Sequence, residues 1–139
     1  MTVTTERFRE ILFSLKAQGA ENINLVTPMH YAPSIVPAIL PIKGALGIPV
    51  VCNTGGYDKR ETVDLMASIT DCFLPDFKFA TSELAADYCH APDYPQVALD
   101  AIERMVQHTG KPVLDERGML RKGTVVRPLI LPGARKDSI

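Results

Sequence analysis

The run IPVVCN, residues 48–53, is short, apolar and rich in β-branched side chains, and Thr54, Gly55 and Gly56 stop it. Such a run reads as a strand buried in a parallel sheet. NINLVTP at 22–28 has the same character and ends in a proline. Asp71 to Lys78, DCFLPDFK, follows as a third strand, and VVRPLIL at 125–131 as the last, preceded by a small turn around Glu116, Arg117 and Gly118.

Helical periodicity fills the spaces between these runs. Residues 4–18 place Phe8, Ile11, Leu12 and Leu15 on one face, with Thr4 or Thr5 as N-cap and Gly19 as stop. APSIVPAILPIKGALG, 32–47, has to supply the first crossover, yet Pro33, Pro37 and Pro41 recur every four residues. An interior proline costs about 3 kcal/mol or bends the helix, so a kinked or broken crossover is expected. A short helix is expected over 59–69 and others near 82–90 and 95–109. The last of these has Asp93 as N-cap, Ala98, Ala101, Ile102 and Met105 on one face, and Gly110 after it. Strand and helix alternating in this way is the pattern of right-handed βαβ units, hence an α/β fold around a parallel sheet of about four strands.

The chain has 139 residues, 46% hydrophobic and 22% charged, which suits a single domain with an apolar core and disfavours disorder, collagen or a disulfide miniprotein. Fifteen basic side chains against 16 acidic ones exert no global pull on nucleic acid or an anionic membrane. Residues 111–139 carry seven basic and three acidic side chains, a local surplus that reads as solvated surface or as a seat for a small anion. Cys52, Cys72 and Cys89 cannot pair completely, and their spacing makes no metal knuckle. With no signal-like or membrane-spanning apolar run, a reducing, cytoplasmic setting is expected.

In folds of this class functional groups gather at the carboxyl ends of the strands. Here those ends are Thr27 to His30, Asn53 to Gly56, Asp76 to Lys78, and Arg127 to Gly133. Asp76 and Lys78, two apart on an extended segment, share a face. They read either as a grip for a zwitterion or as a plain salt bridge. Asn53 with the Thr54-Gly55-Gly56 turn offers an amide, a hydroxyl and backbone N–H groups to a ribose or carboxylate, or is simply a turn. Arg127, inside an apolar strand, needs a partner, either an acid such as Asp76 or a ligand anion. His30 reads as a donor, a base or neither. Cys52 and Cys72 read as small buried residues, adjacent Cys89 and His90 diverge on a helix, and no protein-held metal is expected.

Taken together, NINLVTPMHYAPSIVPAI, IPVVCNTGGYD, DCFLPDFKF, APDYPQVALDAIERM and VVRPLILPG resemble the radical S-adenosylmethionine (SAM) proteins related to pyruvate formate-lyase activating enzyme, from about residue 4 onward. The resemblance implies a partial (β/α)₆ TIM-like barrel in which a [4Fe–4S] cluster binds SAM and cleaves it reductively to a 5′-deoxyadenosyl radical. It implies SAM contacts by the loop at Thr27 to His30, by Asn53 and Thr54 near the ribose or methionine, by Asp76 and Lys78 as a D-x-K pair, and by Arg127 on the carboxylate. The family's C-x₃-C-x₂-C triad has no counterpart among these three cysteines, so no cluster is expected in this chain. By the same comparison, residues 1–139 look like an incomplete barrel domain without its first and last strands.

Three functional readings follow. The first is a radical SAM oxidoreductase segment, inactive alone, whose partners are a glycyl-radical-type protein or an N-terminal cluster-bearing polypeptide. The second is a non-catalytic fragment that binds SAM or packs on a partner, and the third a barrel aldolase or lyase using Lys78. Open sheet edges at 22–27 and 125–131 are expected to promote self-association. No nucleic-acid or membrane partner is expected.

Overall fold

The Thr4 hydroxyl accepts the Arg7 N–H at 3.2 Å and starts α1 (Thr5–Ala17), which Gly19 ends with φ +93°. A computed structural model describes residues 3–131. After α1 come β1 (Ile23–Val26), α2 (Ala32–Ile39), α3 (Lys43–Leu46), β2 (Val50–Thr54), α4 (Arg60–Ala67), β3 (Cys72–Phe77), α5 (Ser82–Cys89), α6 (Tyr94–Thr109), β4 (Val113–Leu114), β5 (Leu120–Thr124) and β6 (Arg127–Pro128). The first crossover is broken, as its prolines require: α2 contains Pro37, and a 3₁₀ turn at Leu40–Ile42 contains Pro41 before α3 resumes. No helix among the described residues is long and apolar enough to cross a membrane.

The chain is α/β, with a mostly parallel sheet in the order β1-β2-β3-β5-β4 and β6 also on β3. β1, β2, β3 and β5 run parallel, while β4 is antiparallel to β5. The last strand departs from the expected 125–131. It begins at Leu120, because the polar segment LRKGT forms β5. β5 and β6 are one strand in one register: Cys72 pairs with Gly123 and Phe73 with Thr124, then Asp76 with Arg127 and Phe77 with Pro128. The gap between them has a chemical cause. The Phe73 carbonyl accepts the Val125 N–H at 2.9 Å, and the Phe77 carbonyl accepts that of Leu129 at 3.4 Å. Odd-numbered β3 residues therefore face this neighbour, and Pro75 has no N–H to give the Val125 carbonyl.

The turn around Glu116 closes a hairpin between β4 and β5, with the Asp115 carboxylate accepting the Arg117 and Met119 N–H groups at 2.9 Å each. An open edge at 125–131 is consequently only part of the outcome, because β4 covers the flank of β5 at its amino half. β1 pairs only with β2 among the described residues.

Ile23, Val50, Cys52 and Phe73 point to one face and pack with Leu12, Val36, Ile39, Val63, Met66, Ala101 and Met105 from the helices. Alternation sends Asn24, Val26, Val51, Asn53, Leu74 and Asp76 to the other face, where Val26 is 69% exposed. At its amino half this second face is shielded. Cys72 is buried, with its thiol 3.9 Å from the Leu120 carbonyl, and Arg117 of the hairpin binds Glu21, just before β1, at 2.9 and 3.1 Å. The carboxyl half stays open.

A surface clamp joins α4 to α6. Asp64 accepts Arg104 Nε at 2.6 Å and Nη2 at 3.1 Å and meets His108 Nε2 at 2.6 Å. The arginine first, then the histidine, hold the Asp64 carboxyl down to about 2. A carboxyl lowered on folding contributes stability above its ordinary value near 3.8, and that contribution fades as pH falls towards 2. Asp64→Asn should thus lower Tm by ~1–3 °C at pH 5, with the gap to wild type narrowing by pH 2. A gap independent of pH in thermal melts would contradict this account of the clamp.

Candidate functional site

Asn53 ends β2, Asp76 lies near the end of β3, and Arg127 opens β6, all on the open face. The register sets them side by side, since Asn53 pairs with Leu74, one pleat before Asp76, and Asp76 pairs with Arg127. The Arg127 guanidinium reaches across β3, its Nη2 donating to Asp76 Oδ1 and to Asn53 Oδ1, each at 2.7 Å. Lys78 follows β3 with its Nζ 3.8 Å from Asp76 Oδ2. The side chains of Arg127 and Lys78 are each 43% exposed and that of Asp76 25%, so two cations and one carboxylate stand open to a ligand. Arg127 thus has the acid expected of it in Asp76 and an amide acceptor in Asn53.

Backbone packing holds these strand ends together. Gly56 adopts φ +82°, and a Cβ there would sit 2.2 Å from the Asp76 carbonyl oxygen, closer than any side chain allows. The Tyr94 hydroxyl, at the start of α6, accepts the Lys78 N–H at 2.9 Å and shares its proton between the carbonyls of Gly55, at 3.0 Å, and Asp76, at 3.1 Å. Tyr94 is buried, which pushes its phenol up, and its ring stacks on Tyr57 with centroids 5.9 Å apart. Asp93 precedes α6 as expected, but its carboxylate caps no helix N–H; it accepts the Tyr57 hydroxyl instead, at 2.9 Å.

Thr54 and His30 belong to a different group. Alternation turns the buried Thr54 away from Asn53, and its hydroxyl donates to Asp58 and accepts the Gly56 N–H at 3.3 Å. Burial raises the Asp58 carboxyl, against the lowering effects of the Thr54 bond and of His30. His30, in the 3₁₀ turn Met29–Tyr31, lines with Asp58 and Lys59 a cleft of about 260 Å³. Thr27 enters that turn at φ +53°, a strained value for a β-branched residue. Pro132 and Gly133, at the end of the fourth expected loop, lie outside the described residues.

The cysteines do not converge. Cys52 and Cys72 point to opposite faces of the sheet, and Cys89 is exposed on α5 with its thiol 3.0 Å from the Ala85 carbonyl. Burial pushes the Cys52 thiol up to about 12 and raises that of Cys72 as well. No group of three potential metal ligands occurs among the described residues.

Sequence reading missed Asp58 and Tyr94 and took the second glycine as an ordinary turn residue. Asp58 closes the same TGGYD turn that drew notice for Asn53 and Thr54, so its spacing from Thr54 was an available signal. Tyr94 gave none, because its contacts reach 16 to 39 residues away.

The lacing makes two unequal predictions. Gly56→Ala should destabilise the protein by roughly 2–4 kcal/mol, combining a disfavoured φ with a backbone collision. Tyr94→Phe should cost about 1–2 kcal/mol and speed hydrogen exchange at the Lys78 amide. Denaturant melts showing Gly56→Ala as stable as wild type would contradict the close approach. Compared with known proteins, the chain matches no family model, no curated protein and no solved structure.

Proposed function

We propose that the strand-end cluster binds the amino-acid end of SAM, and that the chain is a segment of a radical SAM-type barrel related to pyruvate formate-lyase activating enzyme. One observation carries this reading: Asn53, Asp76, Lys78 and Arg127 converge from three neighbouring strand ends on an uncovered sheet face. Arg127 would exchange Asp76 for the ligand carboxylate, freeing the Asp76 carboxylate for the ligand ammonium. Lys78 adds a second cation and Asn53 an amide. Thr54 and His30, proposed as further contacts, would act from the Asp58 side of the turn. Consecutive parallel strands with helices on one face support the partial (β/α)₆ arrangement.

The [4Fe–4S] cluster does not fit these residues. Its three thiolates would have to meet, whereas Cys52 and Cys72 lie on opposite faces and the Cys52 thiol is held protonated. The chain alone is therefore proposed to bind SAM without cleaving it. Cleavage would fall to an assembly with a polypeptide carrying C-x₃-C-x₂-C, acting on a glycyl-radical-type protein in the cytoplasm. A half-exposed Lys78 beside a carboxylate lacks the desolvation a Schiff-base lysine needs, so no observation favours the aldolase reading.

Isothermal titration with SAM tests the proposal. Saturable binding is expected, weakened tenfold or more by Arg127→Ala, which is about 1.4 kcal/mol. Absence of saturable binding, or an affinity indifferent to Arg127→Ala, would overturn it. We also propose self-association through the β1 edge. The N–H groups of Ile23 and Thr27 bond to β2, so those of Asn24 and Val26 face the free edge; sedimentation velocity should show concentration-dependent dimers, which Val26→Pro removes or reduces, and a monomer at every concentration refutes the edge pairing.

A further inference from the structure

A second cleft lies at the opposite, amino end of the sheet, where the α3 segment meets the starts of β2, β3 and β5. It encloses about 560 Å³ and is walled on its apolar side by Leu40, Ile48 and Pro49. Its one carboxylate is already committed. Asp71 Oδ1 binds Lys43 Nζ at 2.9 Å, and Oδ2 accepts the Val50 N–H at 2.9 Å.

Arg121 lines the same cleft, half-buried, and its guanidinium makes no hydrogen bond or ion pair among the described residues. The two acids that feel its charge beyond the cleft are occupied elsewhere: Glu21 takes Arg117 in a bidentate pair, and Asp115 accepts two backbone N–H groups and lies 3.7 Å from the same arginine. A third cation stands at the rim. Lys16 Nζ donates to the Ala45 carbonyl at 2.9 Å and lies 3.6 Å from where a Cβ on Gly47, a lining residue, would be. Three cations thus surround a cleft whose single acid is saturated. A half-buried guanidinium without a counter-ion is unfavourable, and its planar set of donors matches an oxyanion.

We propose that this cleft binds an oxyanion bearing a short apolar group, a phosphate monoester or a carboxylate. The anion sits on Arg121 and Lys43, and the apolar group lies against Leu40, Ile48 and Pro49. This site is independent of the strand-end cluster and of the SAM reading.

Gly44 provides a clean probe. It lines the cleft from within α3, and a Cβ built on it meets nothing within 4 Å. A side chain there would start into ligand space with no neighbour within 4 Å of its Cβ. The experiment is an amide-shift titration of the full chain with hexyl phosphate, hexanoate, inorganic phosphate and hexanol. Saturable shifts centred on Gly44, Gly47 and Arg121 are expected with at least one of the two amphiphilic anions, and the tighter one identifies the headgroup. Hexanol should bind at least tenfold more weakly. Gly44→Leu should abolish the response with Tm no lower than that of wild type, and Arg121→Gln should weaken binding tenfold or more. No saturable response to either anion by about 10 mM, or an affinity unaltered by Arg121→Gln, would overturn the proposal.

Discussion

Strands laid down in consecutive order and joined by right-handed crossovers have no choice about where their helices go: every helix falls on the same side of the sheet. The order β1-β2-β3-β5 imposes that condition here, and the core of Phe73, Val50 and Cys52 against the helices is its consequence. The opposite face is left to find other cover. The β4–β5 hairpin supplies it at the amino end, burying Cys72 and tying Arg117 to Glu21. Nothing among the described residues covers the carboxyl end, and the polar side chains collect there.

That uncovered end is held together by contacts close to the backbone. The Gly56 contact with the Asp76 carbonyl and the three-way bonding of the Tyr94 hydroxyl fix the exits of β2 and β3 relative to each other. Arg127 then needs only a guanidinium's length to span them. Its arrival depends on β6 continuing the register of β5 across Pro75, so a missing N–H in the central strand is tolerated without displacing the arginine. The cluster is internally paired, and any anion it receives must compete with Asp76 for Arg127.

Much of this was legible in the sequence. Apolar runs gave β1, β2 and β3, periodicity gave α1 and α6, and the prolines at 33, 37 and 41 gave the broken crossover. The shared face of Asp76 and Lys78 and the need of Arg127 for an acid came from spacing and from the unfavourable burial of a lone charge. β5 was hidden because Arg121, Lys122 and Gly123 break the apolar pattern, although the hairpin buries Gly123 so tightly that a Cβ would meet Leu120 at 3.2 Å. Tyr94 and Asp58 were invisible for a different reason: their roles arise from tertiary contacts that no local pattern encodes. The separation of Thr54 from Asn53 follows from strand alternation.

Asn53, Asp76, Lys78 and Arg127 are proposed to act together as one receptor for an amino-acid zwitterion. A structure of the protein with SAM bound tests it most directly. The ligand carboxylate is expected within hydrogen-bond distance of Arg127 and its ammonium on Asp76, with the Arg127–Asp76 contact opened. A ligand seated elsewhere, or one that leaves Arg127 paired to Asp76 and Asn53 as it is now, would contradict it.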